Sequence, residues 1–156
     1  MRWTAILTLL LGLTIGACSA DATADGPPEI NCGREVCLQC GMIISEVRYA
    51  AAYRLPDGTE KKFDDLGGLV VYGRENGELA SAEVWVHDVE TEEWLPAGEA
   101  WFVMTGDGRT PMGFGIIAFS DKQRATQVAQ GLEAGVLTWE DVTSLPSAAL
   151  TPSMGG

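Results

Sequence analysis

Hydrophobic and polar positions change period several times along this chain, and turn residues fall where the period changes. Arg48 to Leu55 is strand-like, Pro56-Asp57-Gly58 marks a turn, and Thr59 to Phe63 returns as a second strand, which predicts a hairpin. Asp64 or Asp65 then stands where a helix through about Arg74 needs its cap. After Asn76-Gly77, Val84 to Val89 alternates as a third strand. The order then recurs. Ala100 to Met104, a turn at Gly106-Asp107-Gly108 and Gly115 to Phe119 predict a second hairpin. Ser120 or Asp121 caps a helix through about Leu132, Gly135 ends it, and Val136 to Val142 is expected as the closing strand. Phe63-Asp64-Asp65 and Phe119-Ser120-Asp121 hold matching places, so both halves read ββαβ.

One such unit alone is near the size at which a hydrophobic core becomes marginal, so the two are expected to pack on each other. The predicted fold class is α+β, two similar small ββαβ units in one compact body. Unit one spans about 42–90 and unit two about 99–143, within a domain over 32–143. Trp85, Trp94, Trp101 and Trp139 fall in or beside the strands and are read as core or interface side chains.

The ends follow a different pattern. Arg2 precedes an uncharged apolar run from Ala5 to Ile15, too short to span a bilayer and suited to a secretory signal. Ile15-Gly16-Ala17-Cys18 resembles the lipobox of bacterial lipoproteins, so residues 1–17 are read as a lipoprotein signal peptide and Cys18 as the lipid attachment point. Residues 18–31 hold little that can be buried and are expected to form a flexible tether. Residues 144–156, rich in Ser, Pro, Ala and Gly, are expected as a flexible tail.

Charge narrows the function. With 10 Lys and Arg against 22 Asp and Glu, the formal net charge is −12 and the pI near 4.3, which repels phosphate backbones and excludes nucleic acid as a partner. Cleavage before Cys18 removes one basic residue and no acidic one, leaving the mature chain more acidic still. A single histidine, His87, excludes multi-His metal sites and most hydrolytic chemistry.

The remaining chemistry lies in sulfur. Setting Cys18 aside leaves Cys32, Cys37 and Cys40, an odd number in a compartment that favours disulfides. Cys37-Leu38-Gln39-Cys40-Gly41-Met42 places two thiols and a thioether within one short segment, a soft donor set that favours Cu(I). Three other readings compete. Cys37 and Cys40 can form the dithiol of an extracytoplasmic redox protein. Cys32, Cys37 and Cys40 with His87 supply the donors of a structural Zn site. A Cys32–Cys37 or Cys37–Cys40 disulfide can staple the N-terminal segment.

Cys40-Gly41-Met42 early in the mature chain, a hairpin followed by Phe63-Asp64-Asp65, and Pro111-Met112-Gly113 leading to Ala118-Phe119-Ser120-Asp121, all behind a lipobox, together resemble the NosL family. Its members are accessory lipoproteins of nitrous-oxide reductase. The resemblance implies two similar ββαβ units, bound Cu(I) and no enzymatic activity. It further implies a membrane-anchored periplasmic chaperone that delivers copper to nitrous-oxide reductase or its maturation machinery. Carried over by position, it implies Cys40, Met42 and Met112 as metal ligands. Cys37, outside the simplest form of the pattern, is a further candidate. Asp64 and Asp65 are read as helix caps.

Overall fold

The structure, a computed structural model, describes residues 26–153. The signal peptide, Cys18 and the first part of the tether lie outside the described residues, as do residues 154–156.

The first hairpin pairs β1 (Ala51–Arg54) with β2 (Glu60–Phe63) in antiparallel register, Ala51 opposite Phe63 and Arg54 opposite Glu60. The turn closes because Gly58 takes the left-handed conformation at φ 85° while the Asp57 carboxylate accepts the Thr59 N–H. All four residues of β1 are buried, since β3 (Glu83–His87) pairs along its other edge. Between β2 and β3 runs α1 (Leu66–Glu75), capped by Asp65, whose carboxylate accepts the Gly67 N–H. Leu69 and Val70 of this helix sit in the core against Phe63.

The second half repeats the plan. Strand β5 (Trp101–Met104) is central, flanked by β6 (Ile116–Phe119) and β7 (Val136–Leu137), with α2 (Lys122–Gly131) capped by Asp121. The helices and sheets make an α+β body with two ββαβ units. The main core runs through both, joining Phe63 and Leu69 to Phe102, Phe114 and Ile116, while Val103, Phe119, Ala125 and Ala129 form a smaller cluster under α2. The two sheets meet where Asp88 pairs with Ala118 in parallel fashion and the Asp88 carboxylate accepts both the backbone N–H and the hydroxyl of Ser120.

Four features differ from the sequence expectation. A further strand, β4 (Trp94–Pro96), pairs with the outer edge of β3 and completes the order β2-β1-β3-β4. The closing strand stops at Leu137, because Thr138 and Asp141 form a reciprocal capping box that starts α3 (Trp139–Ser144). The tail does not hang free up to Ser153. Leu150 is 6% exposed, packed into the main core, and the Ser153 N–H donates to the Gly113 carbonyl. At the other end, Gly26 accepts a hydrogen bond from Arg54 and Ile30 packs on the core, so the end of the expected tether is part of the body.

Candidate metal centre

Two loops, one from each half, meet over the first turn of α1. The first is the hairpin carrying the cysteines. Val36 bridges Ile43, the Cys37 N–H donates to the Met42 carbonyl at 2.8 Å, and the Gly41 N–H donates to the Cys37 carbonyl at 2.9 Å. Gly41 lies at φ 74°, a conformation that favours glycine and lets Met42 fold back beside Cys40. The Leu38 N–H reaches the Lys62 carbonyl at the free edge of β2, Lys62 pairs with Glu35, and the Ser45 N–H donates to the Asp64 carboxylate. These bonds fix the hairpin on the first half.

The second loop connects β5 to β6 and carries Met112. Within it the Gly113 N–H donates to the Thr110 carbonyl and the Gly115 N–H to the Thr110 hydroxyl. Asp65 ties this loop to α1. While one carboxylate oxygen caps the helix at 2.7 Å from the Gly67 nitrogen, the other accepts the Met112 N–H at 3.2 Å, and Thr110 and Phe114 donate as well. Burial pushes the Asp65 carboxyl above its ordinary value, and those hydrogen bonds oppose the rise without cancelling it.

The loops approach this closely because the helix begins with Gly67 and Gly68. A Cβ on Gly67 would lie 2.2 Å from Phe114 Cβ, and one on Gly68 would lie 2.8 Å from Met112 Sδ. With both side chains missing, the Met112 thioether reaches the cysteine hairpin. Cys37 Sγ and Met112 Sδ are 3.8 Å apart although 75 positions separate them. Cys40 joins through its thiol, which shares a hydrogen bond with Cys37. Burial raises its pKa above the usual thiol value, Cys37 adds to the rise, and the Met42 backbone partly offsets it.

Cys37 thus stands nearer the centre than its place outside the family pattern suggests. It is fully buried beside Met112, Cys40 is half-buried, and Met42 is 54% exposed on the hairpin. Cys32 is half-buried, and all three cysteines are free thiols. Met104 packs against the core.

The zinc reading does not survive. Among the described residues no three His, Cys, Asp or Glu side chains gather as a metal site. His87 is turned into the interior instead, with Nδ1 2.7 Å from the Ala50 carbonyl oxygen and its ring 3.7 Å from that of Trp94. Burial holds its imidazole below the usual pKa.

Sequence reasoning missed Asp65 as the link between loops and the paired glycines that seat Met112. The available signal was Gly67-Gly68 itself, since two adjacent glycines in a helix cost up to about 1 kcal/mol each relative to alanine and call for a packing reason.

A soft, sulfur-lined meeting point thus sits on a duplicated ββαβ body. The NosL family model matches residues 29–145. The chain belongs to the NosL family. The crystal structure of the copper chaperone NosL from Shewanella denitrificans is similar in fold, with a TM-score of 0.60 and 23% identity over 76% of this chain and 98% of that one. The family and structural matches are to a copper chaperone and not to an enzyme. No curated protein sequence matches.

Proposed function

We propose that this NosL-family chain is a Cu(I) metallochaperone, anchored in the bacterial periplasm through lipid on Cys18, that carries copper for assembly of the copper centre of nitrous-oxide reductase. The observation that carries the reading is the Cys37–Met112 sulfur contact made between the two halves, with the Cys40 thiol beside it. Family membership supports the copper cargo and the reductase as destination. Cys40, Met42 and Met112 are assigned as the three ligands, with Cys37 a further candidate beside Met112. Thiolate and thioether donors suit Cu(I), and a low coordination number leaves room for an acceptor's ligand to attack the ion. Met42, exposed at the hairpin, is placed to engage or release the ion during transfer.

Titration of Cu(I) against a competing chelator under reducing conditions tests the reading. One ion should bind, Cys40→Ser should weaken it far more than Cys32→Ser, and equal affinities for wild type and Cys40→Ser would remove Cys40 from the site. The dithiol reading needs a nucleophilic thiolate of depressed pKa and no thioether ligand. The Met112 thioether held against Cys37 favours the chaperone, since a dithiol site has no role for it. Efficient thiol-disulfide exchange by a protein that binds no Cu(I) would reverse that preference.

A further inference from the structure

Asp64 and Asp65 are adjacent, buried, and aimed at different loops. Asp64 accepts the N–H of Ser45 at 2.9 Å, just after the cysteine hairpin. Asp65 divides its two oxygens, Oδ1 to the Gly67 N–H of α1 and Oδ2 to the Met112 N–H of the second half. Both sulfur loops lack regular strand or helix at the sulfurs, so their relative position depends on such ties. The Met112 sulfur meets Cys37 only while its backbone stays against the first turn of α1, where Gly68 leaves the space.

We propose that Asp65 is a positioning residue for the metal site: its second carboxylate oxygen fastens the Met112 loop to α1 and so holds the thioether of one half against the thiols of the other. The proposal rests on the copper reading and on Met112 as a ligand. A buried carboxylate suits the task because one oxygen is left over after the cap, and its hydrogen bond to a backbone N–H is charge-assisted. The role parallels that of outer-shell groups which orient metal ligands without touching the metal.

Asp65→Asn separates the two duties. Asparagine caps a helix about as well as aspartate, so Oδ1 keeps its bond to Gly67, whereas the new amide NH2 cannot accept the Met112 N–H. Cu(I) affinity, measured by chelator competition on the reduced folded chain, should fall about 10- to 100-fold in Asp65→Asn. The decisive readout is the same substitution made in a Met112→Leu background. If Asp65 acts by placing the Met112 sulfur, Asp65→Asn should change affinity there by less than about twofold, because the two losses are one interaction. An equal loss in both backgrounds would show a merely structural role and overturn the proposal. Unchanged affinity in Asp65→Asn with a weakened Met112→Leu would overturn the proposal and leave the copper reading standing. Met112→Leu binding as wild type would overturn both the assignment of Met112 and the role of Asp65. Should Asp65→Asn fail to fold, Thr110 gives a second route through the same carboxylate. Thr110→Val should weaken Cu(I) binding and Thr110→Ser should restore it, whereas equal loss in both would count against the tie.

Discussion

Replacing Gly68 with alanine should strengthen the fold and weaken the metal site, an opposition that few single substitutions produce. Gly68 lies in the first turn of α1, where alanine is favoured over glycine by at most about 1 kcal/mol, the value for a helix interior. Its new Cβ would sit 2.8 Å from Met112 Sδ and 3.2 Å from Met112 Cε. Ordinary contact is about 3.5–4.0 Å, so the thioether must retreat by about 1 Å. The end of a methionine side chain is flexible, and this movement costs the fold little. With Met112 as the proposed ligand, the same movement would withdraw its sulfur from bonding distance to the ion. The apo protein should therefore melt up to roughly 4 °C higher than wild type. Its Cu(I) affinity should fall at least about tenfold, equivalent to about 1.4 kcal/mol. Thermal melting of the apo chain and chelator competition for Cu(I) supply the two numbers. Unchanged affinity would refute the placement of the Met112 sulfur at the ion. A lowered melting temperature would show instead that Met112 is a rigid plug whose displacement disrupts packing.

Three further outcomes follow from other parts of the molecule. Because burial holds His87 below its usual pKa, the folded state binds fewer protons than the unfolded chain, whose histidine titrates near about pH 6.5. The contribution of His87 is thus present above that pH and is lost as pH falls below it, so denaturant midpoints between pH 7.5 and 5.5 should drop more steeply in wild type than in His87→Gln; equal slopes would contradict this. Leu150→Ala should cost about 2–5 kcal/mol in urea unfolding, as a core truncation does, and a loss under 0.5 kcal/mol would mean that the C-terminal segment is not part of the core. Cys18→Ala should leave the melt of the domain unchanged while shifting the protein out of the membrane fraction or blocking its processing, and labelled fatty acid retained by Cys18→Ala would place the lipid elsewhere.

The repeated hairpin-helix plan was legible because it rests on local chemistry. Pro56-Asp57-Gly58, the Asp65 cap and the Asp121 cap each work within a few residues of themselves. Strand β4 was not legible, being three residues long, ending in Pro96 and held only by pairing with β3. At Val136 to Val142 two local signals conflict. The strand-forming valine and leucine govern two residues, and the Thr138–Asp141 capping box then turns the chain into a helix. Leu150 lies in a stretch whose composition reads as loose, and its burial depends on a core built from distant residues.

The site divides in the same way. The soft donor cluster from Cys37 to Met42 stands within one short segment, so its chemistry needs no structure to be seen. Which thiol faces Met112 does, because a tight turn has no fixed period to sort Cys37 from Cys40. The reading of Asp65 as a cap holds for one oxygen only. Its other oxygen serves a loop 47 positions away, a contact that propensity and pattern do not encode.

X-ray absorption at the copper edge of the Cu(I)-loaded protein tests most directly the claim that sulfurs from both halves share one ion. The first shell should be sulfur alone, losing one scatterer in Met112→Leu and one in Cys40→Ser. A shell of nitrogen or oxygen donors, or a sulfur shell indifferent to Met112→Leu, would contradict a site built between the two ββαβ units.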